Sequence, residues 1–327
     1  MNVRRTSALA LLVLLSAAAV RASCGSSSCP LDLNALNAPV AGQFGFDLSF
    51  QYINQNRPMI GTRGALVGEI PTDHDEVRTT NRIATAALAY AVSRDLQISA
   101  SVPWISRSHL HLVDGVPERF NLNSIGDVVL QSRYRVFANQ RATGGGLWAI
   151  ASVKLPTGKH DLTNANGATA EVTLQPGSGT TDGIVGLSWQ SGTHAASAIS
   201  GSMGNIAVMP LFATATYQFR TGDVHGYRLG NELQLSTGLG YPLTRNVTGL
   251  LQVNGRVRAK DRIVSGGFDP DTLFTGGTYV YASPGVRVDT HGVGVYALVQ
   301  LPLYQKVNEL QLTSRANLVA GVQHRFR

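Results

Sequence analysis

The feature that most constrains this chain is a strict alternation of apolar and polar residues along long segments. In GQFGFDLSFQY, residues 42–52, large apolar side chains stand at every second position from Phe44 to Tyr52, and Gly, Asp, Ser and Gln fill the positions between them. A β-strand places successive side chains on opposite faces of its sheet. The segment therefore predicts a strand with one apolar face and one polar face.

The same alternation recurs along the chain and predicts the fold class. The clearest segments are 96–104, 128–136, 147–155, 211–219, 233–241, 251–258, 293–303 and 318–326, and weaker ones occur at 81–92, 182–190 and 278–288. They amount to about twelve strands of roughly 9–13 residues, a length that suits a tilted crossing of a bilayer. We therefore predict an all-β fold, a transmembrane antiparallel up-and-down β-barrel.

A soluble β-sandwich is the alternative to a membrane barrel, since its strands also alternate. Soluble strands are shorter, however, and their outward faces are usually charged. Here only 14% of the residues are charged, and the polar positions hold mostly Ser, Thr, Gln, Asn and Gly. We expect the apolar face to meet lipid and the polar face to meet an enclosed aqueous lumen, with closure required because an open edge in hydrocarbon leaves backbone groups unpaired.

The N-terminal residues predict secretion. A short basic stretch, an apolar run and small residues near Ala22 are typical of a signal peptide over 1–22, with an anchor helix or a lipid anchor on Cys24 as alternatives. We expect 23–41 to be a periplasmic segment or a plug, and 42–327 to be the barrel. Cys24 and Cys29 predict a small disulfide loop in an oxidising compartment, with metal capture or thiol exchange with a periplasmic partner as the alternative.

The connections between predicted strands differ on the two sides. Short connections occur at 93–95, 139–145, 244–246 and 289–292, and long ones at 54–80, 107–123, 157–181 and 260–277. This asymmetry is typical of short periplasmic turns and longer extracellular loops. The segment 191–205 should be a short turn and is too long for one. Aromatic residues near strand ends predict interfacial girdles; they are Tyr52, Tyr90, Trp104, Tyr134, Trp148, Tyr217, Tyr241, Tyr279, Tyr281 and Tyr304.

Several segments also resemble a known family. SVPWISR, IGDVVLQSRYRVF, SVKLPTGKHD and LQPGSGTTDGIVGLSW are similar to parts of small Gram-negative outer-membrane barrels labelled transporters of the meta pathway of phenol degradation, relatives of hydrophobic-compound channels. CGSSSCPLD and GEIPTDHDEVRTTNR resemble a subgroup with an N-terminal Cys pair and His-bearing outer loops. The resemblance implies passive uptake of small solutes, aromatic or hydrophobic compounds or organic anions, across the outer membrane of a Gram-negative bacterium.

The alternation also assigns charged side chains to the lumen. The predicted pore-lining residues are Asp47, Asp127, Arg133, Arg135, Lys154, Glu232, Arg256, Arg258 and Arg315. Bases outnumber acids in this set, and basic rings favour anions in a pore. The alternative is that these charges pair across neighbouring strands and brace a closed lumen.

A second candidate site is a group of metal-ligating residue types in the predicted outer loops. Its members are Asp73, His74, Asp75, Glu76, His109 and His111. His109 and His111 point to the same side if a strand extends through them. Imidazole with carboxylate could hold Zn²⁺, Cu²⁺ or Ni²⁺, and the alternative is a solvated acidic loop with two interfacial histidines.

The remaining observations narrow the function class. The sequence has no G-x-S-x-G, H-E-x-x-H or Walker motif, so we predict neither an enzyme nor a cofactor. Loss of Arg4, Arg5 and Arg21 with the signal lowers the net charge from +7 to +4, too mild for a nucleic-acid partner. The expected partners are outer-membrane lipid and lipopolysaccharide, the barrel-assembly machinery at the C-terminal strand, and a small solute. The alternative function is a non-conducting barrel that binds metal or a periplasmic partner.

Overall fold

The structure, a computed structural model, describes Leu31 and residues 40–69, 74–139, 145–192, 210–266 and 270–326. The predicted signal peptide and both cysteines lie outside the described residues. The strands are β1 (Phe44–Ile60), β2 (Arg63–Gly64), β3 (His74–Ala91), β4 (Leu96–Val113), β5 (Val116–Ile125), β6 (Val128–Ala138), β7 (Gly146–Leu155), β8 (Asp182–Gln190), β9 (Leu211–Arg220), β10 (Tyr227–Arg228), β11 (Glu232–Pro242), β12 (Val247–Arg258), β13 (Arg262–Ile263), β14 (Gly277–Thr290), β15 (Val293–Val307) and β16 (Leu310–Phe326).

Twelve of these strands form one closed antiparallel barrel, which confirms the predicted fold class. Each barrel strand pairs with the next one along the chain, and the ring closes where β16 pairs with β1, from Phe44 opposite Phe326 to Ile60 opposite Leu310. Closure satisfies the backbone groups that a sheet edge would expose. Within the described residues, no helix is long and apolar enough to span a membrane.

The alternation in the sequence is an alternation between the outside and the inside of the barrel. On β1, Leu48 and Phe50 face outward and are 48% and 46% exposed, whereas Asp47 and Ser49 face the lumen. Large apolar side chains are exposed in the same way around the ring, among them Leu88, Ile98, Leu130, Leu187, Leu235, Leu251, Val295, Leu301 and Leu318. Such a belt fits the hydrocarbon of a bilayer.

The structure confirms only part of the predicted aromatic girdle. Five of the expected residues face outward and are exposed; they are Trp104, Tyr134, Tyr217, Tyr241 and Tyr304. The prediction is wrong for Trp148, Tyr279 and Tyr281, which are buried inside the barrel. The reason is strand parity, because these three occupy positions between the lipid-facing residues of β7 and β14.

The extracellular side differs from the sequence prediction because several strands continue beyond the bilayer. Much of the expected loop 54–80 belongs to β1 and β3, and the expected loop 107–123 is a hairpin of β4 and β5. That hairpin turns at Asp114 and Gly115, both with positive φ (50° and 78°), a conformation that glycine and aspartate tolerate better than most residues. The short turns 92–95, 243–246 and 291–292 lie at the opposite, periplasmic rim.

The barrel wall has unequal height around the ring. The strands β1, β3, β4 and β16 have 17 or 18 residues, whereas β7, β8 and β9 have 9 or 10. All of these strands reach the periplasmic rim, so the difference in length appears on the extracellular side. The outer rim is therefore slanted, tall on one flank and low on the other.

Three prolines mark places where the strand ladder ends or changes partner. At Pro103 the pairing of β4 switches from β6 to β5, and the Pro103 carbonyl accepts the Gly126 N–H at 2.8 Å. Pro302 follows Gln300, the last β15 residue that pairs with β16 among the described strands. Pro156 follows the end of β7. Proline cannot donate to a ladder, so it is tolerated at such interruptions.

The loop 156–181 between β7 and β8 folds into the outer half of the barrel. Its Ala170 and Leu174 pack against Phe120 and Leu122 of β5 and against Leu312 of β16, and all five side chains are buried. The largest apolar cluster of buried residues in the described structure therefore lies beneath the extracellular mouth, not between the barrel and a second layer.

Candidate functional site

The inward loop 156–181 is fastened by Asp127, which lies between β5 and β6. The backbone N–H groups of Gly158 and Ser178 donate to the Asp127 carboxylate at 3.0 and 2.9 Å. The Ser178 hydroxyl donates at 2.6 Å, and Lys154 Nζ donates at 2.7 Å. Asp127 is 8% exposed. A single buried carboxylate therefore binds both ends of the loop to the barrel wall.

A second carboxylate, Asp182 at the start of β8, extends this network. Lys154 Nζ lies 2.9 Å from Asp182 Oδ2, and the Arg220 guanidinium pairs with the same carboxylate. Gln218 and Thr180 also donate to Asp182, at 3.0 and 3.1 Å. Two cations thus face two carboxylates, and the network is neutral. Buried charges that are paired and hydrogen-bonded in this way brace a structure.

Most of the predicted lumen bases are paired as well. Arg256 donates to Glu232 at 2.7 Å, Arg258 pairs with Asp261 at 2.7 Å, and Arg135 pairs with Asp95 in the β3–β4 turn at 2.5 Å. The excess of bases over acids in the sequence prediction is therefore much reduced, because Asp95, Asp182 and Asp261 are absent from the predicted set. Arg315 lies in an irregular stretch between the paired residues Ser314 and Asn317 and is exposed, so alternation does not place it in the lumen.

Arg133 on β6 differs from the other bases. It faces the lumen and is 6% exposed, and its guanidinium lies over the ring of Trp148, 5.6 Å from the centroid. Its Nε and Nη2 atoms are buried without a hydrogen-bond acceptor in the described part of the chain. Arg135 lies over the same ring at 5.3 Å, but it has Asp95 as its counterion. Of the two arginines on Trp148, one is neutralised and one is not.

Arg133 lines a cavity of about 180 Å³ in the periplasmic half of the lumen. Its wall combines apolar residues, among them Phe44, Phe46 and Ala89, with polar ones, which include Gln97, Ser99, Ser101, Gln131, Gln323 and Arg325. Asp47 is the sole carboxylate among its described lining residues, and the Tyr296 hydroxyl lies 3.2 and 3.0 Å from its two oxygens. The described cavity wall therefore contains two guanidinium groups and one carboxylate.

Leu31 is the one described residue of the segment 23–39. It packs against an apolar cluster of lumen-facing side chains, Leu250, Tyr296, Leu298 and Val319. This contact places Leu31 inside the barrel, and the choice between a periplasmic segment and a plug for 23–41 stays a prediction. The disulfide predicted between Cys24 and Cys29 lies outside the described residues and stays a prediction.

A small two-stranded sheet, β10 with β13, lies on the extracellular side. The Tyr227 hydroxyl donates to Asp261 at 2.9 Å, and Arg258 and the Gly230 N–H also donate to that carboxylate. Burial raises the pKa of the Tyr227 phenol well above its usual range, and the neighbouring Asp261 charge raises this pKa further. The hydrogen bond from the protonated Tyr227 phenol to the Asp261 carboxylate therefore helps to hold the β10–β13 sheet in place.

The two histidines of the predicted metal site form a chain of hydrogen bonds. β4 does extend through both, and their rings meet edge to face, with centroids 4.9 Å apart and an interplanar angle of 89°. His109 Nδ1 is 2.8 Å from the Thr79 hydroxyl, His109 Nε2 is 3.1 Å from His111 Nδ1, and His111 Nε2 is 2.9 Å from Glu118. Asn164 of the inward loop donates to Glu118 at 2.7 Å. The chain therefore links the β4–β5 hairpin to the loop.

The described residues hold no group of three or more His, Cys, Asp and Glu side chains arranged around one point for a metal ion. Glu76 Oε2 lies 3.8 Å from His109 Nδ1, on the opposite side of that ring from His111. Asp75 is in the described part of β3, the side chain of His74 is not described, and Asp73 lies outside the described residues. Metal binding by this group stays a prediction.

Comparison with known proteins gives a fold but no family. No family model matches the sequence, and no curated protein matches it. The crystal structure of the COG4313 outer membrane channel from Pseudomonas putida F1 matches with a TM-score of 0.64 and 11% identity, over 91% of this chain and 100% of the other. The chain shares the fold of that channel.

Two other solved barrels are less similar. A ΔS2 mutant of the TodX monoaromatic hydrocarbon channel matches with a TM-score of 0.47 and 13% identity, over 95% of this chain and 98% of the other. The translocator domain of the autotransporter NalP from Neisseria meningitidis matches with a TM-score of 0.45 and 13% identity, over 90% and 91%.

Proposed function

We propose that the protein is an outer-membrane channel for passive uptake of small solutes, organic anions and small hydrophobic compounds, in a Gram-negative bacterium. One observation carries the proposal: a closed barrel with an apolar exterior encloses a cavity lined by charged, polar and apolar side chains. An exterior of this kind requires lipid, and a concave cavity with a few charged and polar groups is the usual form of a small-molecule site. The fold shared with the COG4313 outer membrane channel supports it.

The loop 156–181 narrows the passage through the barrel. The periplasmic half contains the cavity with Arg133, whereas the outer half holds the docked loop 156–181. A solute must therefore pass beside the loop, displace it, or use a side exit at an interruption of the ladder near Pro103. Small solutes and a low conductance follow from any of these three routes.

Single-channel recording tests the proposal. The refolded mature protein, verified as a barrel by its heat-modifiable migration on gels, is added to planar bilayers, and small discrete current steps are expected. Liposome swelling with phenols and organic acids then measures solute flux. A folded protein that gives neither steps nor flux would contradict the channel and favour the non-conducting scaffold.

The partners follow from the surfaces. The outward belt would contact phospholipid and lipopolysaccharide, and β16 would present Phe326, exposed at 42%, to the assembly machinery. Pull-down with a peptide of residues 23–41 tests for a periplasmic partner.

A further inference from the structure

Arg133 is a buried cation whose counterion is missing from the described protein. Burying a guanidinium without an acceptor costs free energy, because the group loses its water without gaining a partner. Natural proteins satisfy nearly all such groups, and an exception calls for an explanation. Arg135 differs from Arg133 in this respect, because both lie over the Trp148 ring but only Arg135 has a carboxylate counterion, Asp95.

We propose that Arg133 is the centre of a carboxylate-binding site inside the barrel, for small organic acids with at most one aromatic ring. This inference rests on the proposed channel function and names a solute class for it. A guanidinium presents a planar fork of N–H donors that matches the two oxygens of a carboxylate. The Trp148 ring holds one face of the guanidinium and fixes its orientation.

The surroundings of Arg133 suit the rest of such a ligand. Gln97, Ser99 and Gln131 line the same cavity and offer amide and hydroxyl groups. Arg325 adds a second positive charge, and the one described carboxylate, Asp47, is hydrogen-bonded by Tyr296. The electrostatic balance of the cavity therefore favours an anion.

The size of the cavity limits the ligand. Its volume is about 180 Å³, and a protein cavity of about 150 Å³ is enough to hold benzene. A benzoate-sized acid matches this volume. Benzoate is the probe we choose, and benzamide is its neutral partner of nearly the same shape.

The site is tested by isothermal titration of the folded protein in detergent, so the readout does not depend on conductance. Wild-type protein should bind benzoate and bind benzamide more weakly, because only benzoate carries the charge. Arg133→Gln should weaken benzoate binding by about 10-fold or more, the usual effect of losing a hydrogen-bonded charge. The benzoate affinity of Arg133→Lys should lie between those of the wild type and Arg133→Gln, since lysine keeps the positive charge but lacks the planar fork of donors.

Arg135→Gln is the matched control, because it removes the other arginine that lies over the Trp148 ring. It should leave benzoate affinity near the wild-type value, since Arg135 already has a counterion. The proposal is overturned if wild-type protein does not bind benzoate, if it binds benzamide equally well, or if Arg133→Gln binds benzoate as well as wild type does.

The outcomes also separate this site from the channel. Protein that conducts ions in bilayers but does not bind benzoate would contradict the site and leave the channel in place. Protein that binds benzoate through Arg133 but conducts nothing would support the site and contradict the channel. Far-UV circular dichroism and heat-modifiable migration confirm that each variant has folded.

Discussion

The backbone N–H of Ser178 donates to the carboxylate of Asp127 at 2.9 Å, although the two residues are 51 positions apart. The Gly158 N–H, at the other end of the same loop, donates to the same carboxylate at 3.0 Å. This shared acceptor closes the loop 156–181 at its base and keeps it inside the barrel. Asp127 therefore fixes the base of the loop, while the packing of Ala170 and Leu174 and the Asn164–Glu118 hydrogen bond hold its middle.

Asp127→Asn should release the loop. The variant removes the negative charge that accepts from Lys154, Ser178 and Gly158, and hydrogen bonds to a charged group are worth about 1.5–3 kcal/mol each. We expect higher single-channel conductance and faster proteolysis within 156–181. Asp161→Asn removes the same charge from an exposed position of the loop and should change neither the conductance nor the proteolysis. Equal conductance of the wild type and both variants would show that Asp127 does not hold the loop in the mouth.

Gly177→Ala should disturb the loop by sterics alone. A Cβ at Gly177 would lie 2.7 Å from the Gly158 Cα and closer still to its carbonyl, and forced contacts of this kind typically cost about 1–3 kcal/mol. We expect a lower midpoint of thermal unfolding and faster loop proteolysis. Gly64→Ala is the control, since nothing lies within 4 Å of its Cβ; an unchanged Gly177→Ala protein would show that the two segments separate easily.

The lipid-facing assignment is tested by Leu251→Arg. Leu251 lies in the middle of β12, faces outward and is 45% exposed. An arginine at the bilayer midplane costs about 2–4 kcal/mol, and one near the interface costs about 0–1 kcal/mol. Leu243→Arg, in a periplasmic turn, should therefore be almost neutral. Denaturant unfolding in lipid vesicles measures both variants, and equal losses of stability would contradict a membrane position for β12.

Titration with Zn²⁺, Cu²⁺ and Ni²⁺ decides the metal prediction. In the structure both rings of His109 and His111 are engaged in the chain from Thr79 to Glu118, so a metal ion would have to break it. We expect no heat above the buffer blank from the folded barrel. Heat that disappears in a His109→Gln/His111→Gln double variant would instead show that these residues bind metal.

The extracellular sheet should open at alkaline pH. The pKa of Tyr227 is raised in the folded protein by burial and by Asp261, so the sheet contact is fully stable below the ordinary tyrosine pKa of about 10 and weakens as the pH rises above it. Proteolysis of the segment 221–231 should accelerate above about pH 10. Tyr227→Phe should lose this pH dependence; a variant that keeps it would assign the effect to another group.

The sequence predicts the wall of this barrel better than its contents. The alternation of apolar and polar residues fixes which side chains of β1 or β12 face lipid, because a shift of the strand by one residue would turn its whole apolar row toward water. The pairing of charges in the lumen is not local. Asp182 starts a strand with little alternation, and its partners Lys154 and Arg220 lie on two neighbouring strands, so only the closed sheet reveals that they meet.

Trp148 shows for a single residue that local sequence predicts contacts inside the lumen poorly. An aromatic residue at a strand end is compatible with a membrane interface, and only the parity of β7 turns it toward Arg133. Parity was readable from the sequence, since Lys154 occupies the same face six positions later. The inward fold of the loop 156–181 was not, because it depends on Phe120, Leu122 and Leu312 from distant strands.

The slanted rim gives the molecule a front and a back at the cell surface. Eight or so extra residues carry the tall strands roughly 20 Å above the low ones, so one flank of the barrel rises well above the other on the extracellular side. A solute that arrives over the low flank reaches the docked loop directly. A solute that arrives from the side of the tall strands meets a wall of hydrogen-bonded sheet. The unequal strand lengths therefore favour approach from the low side.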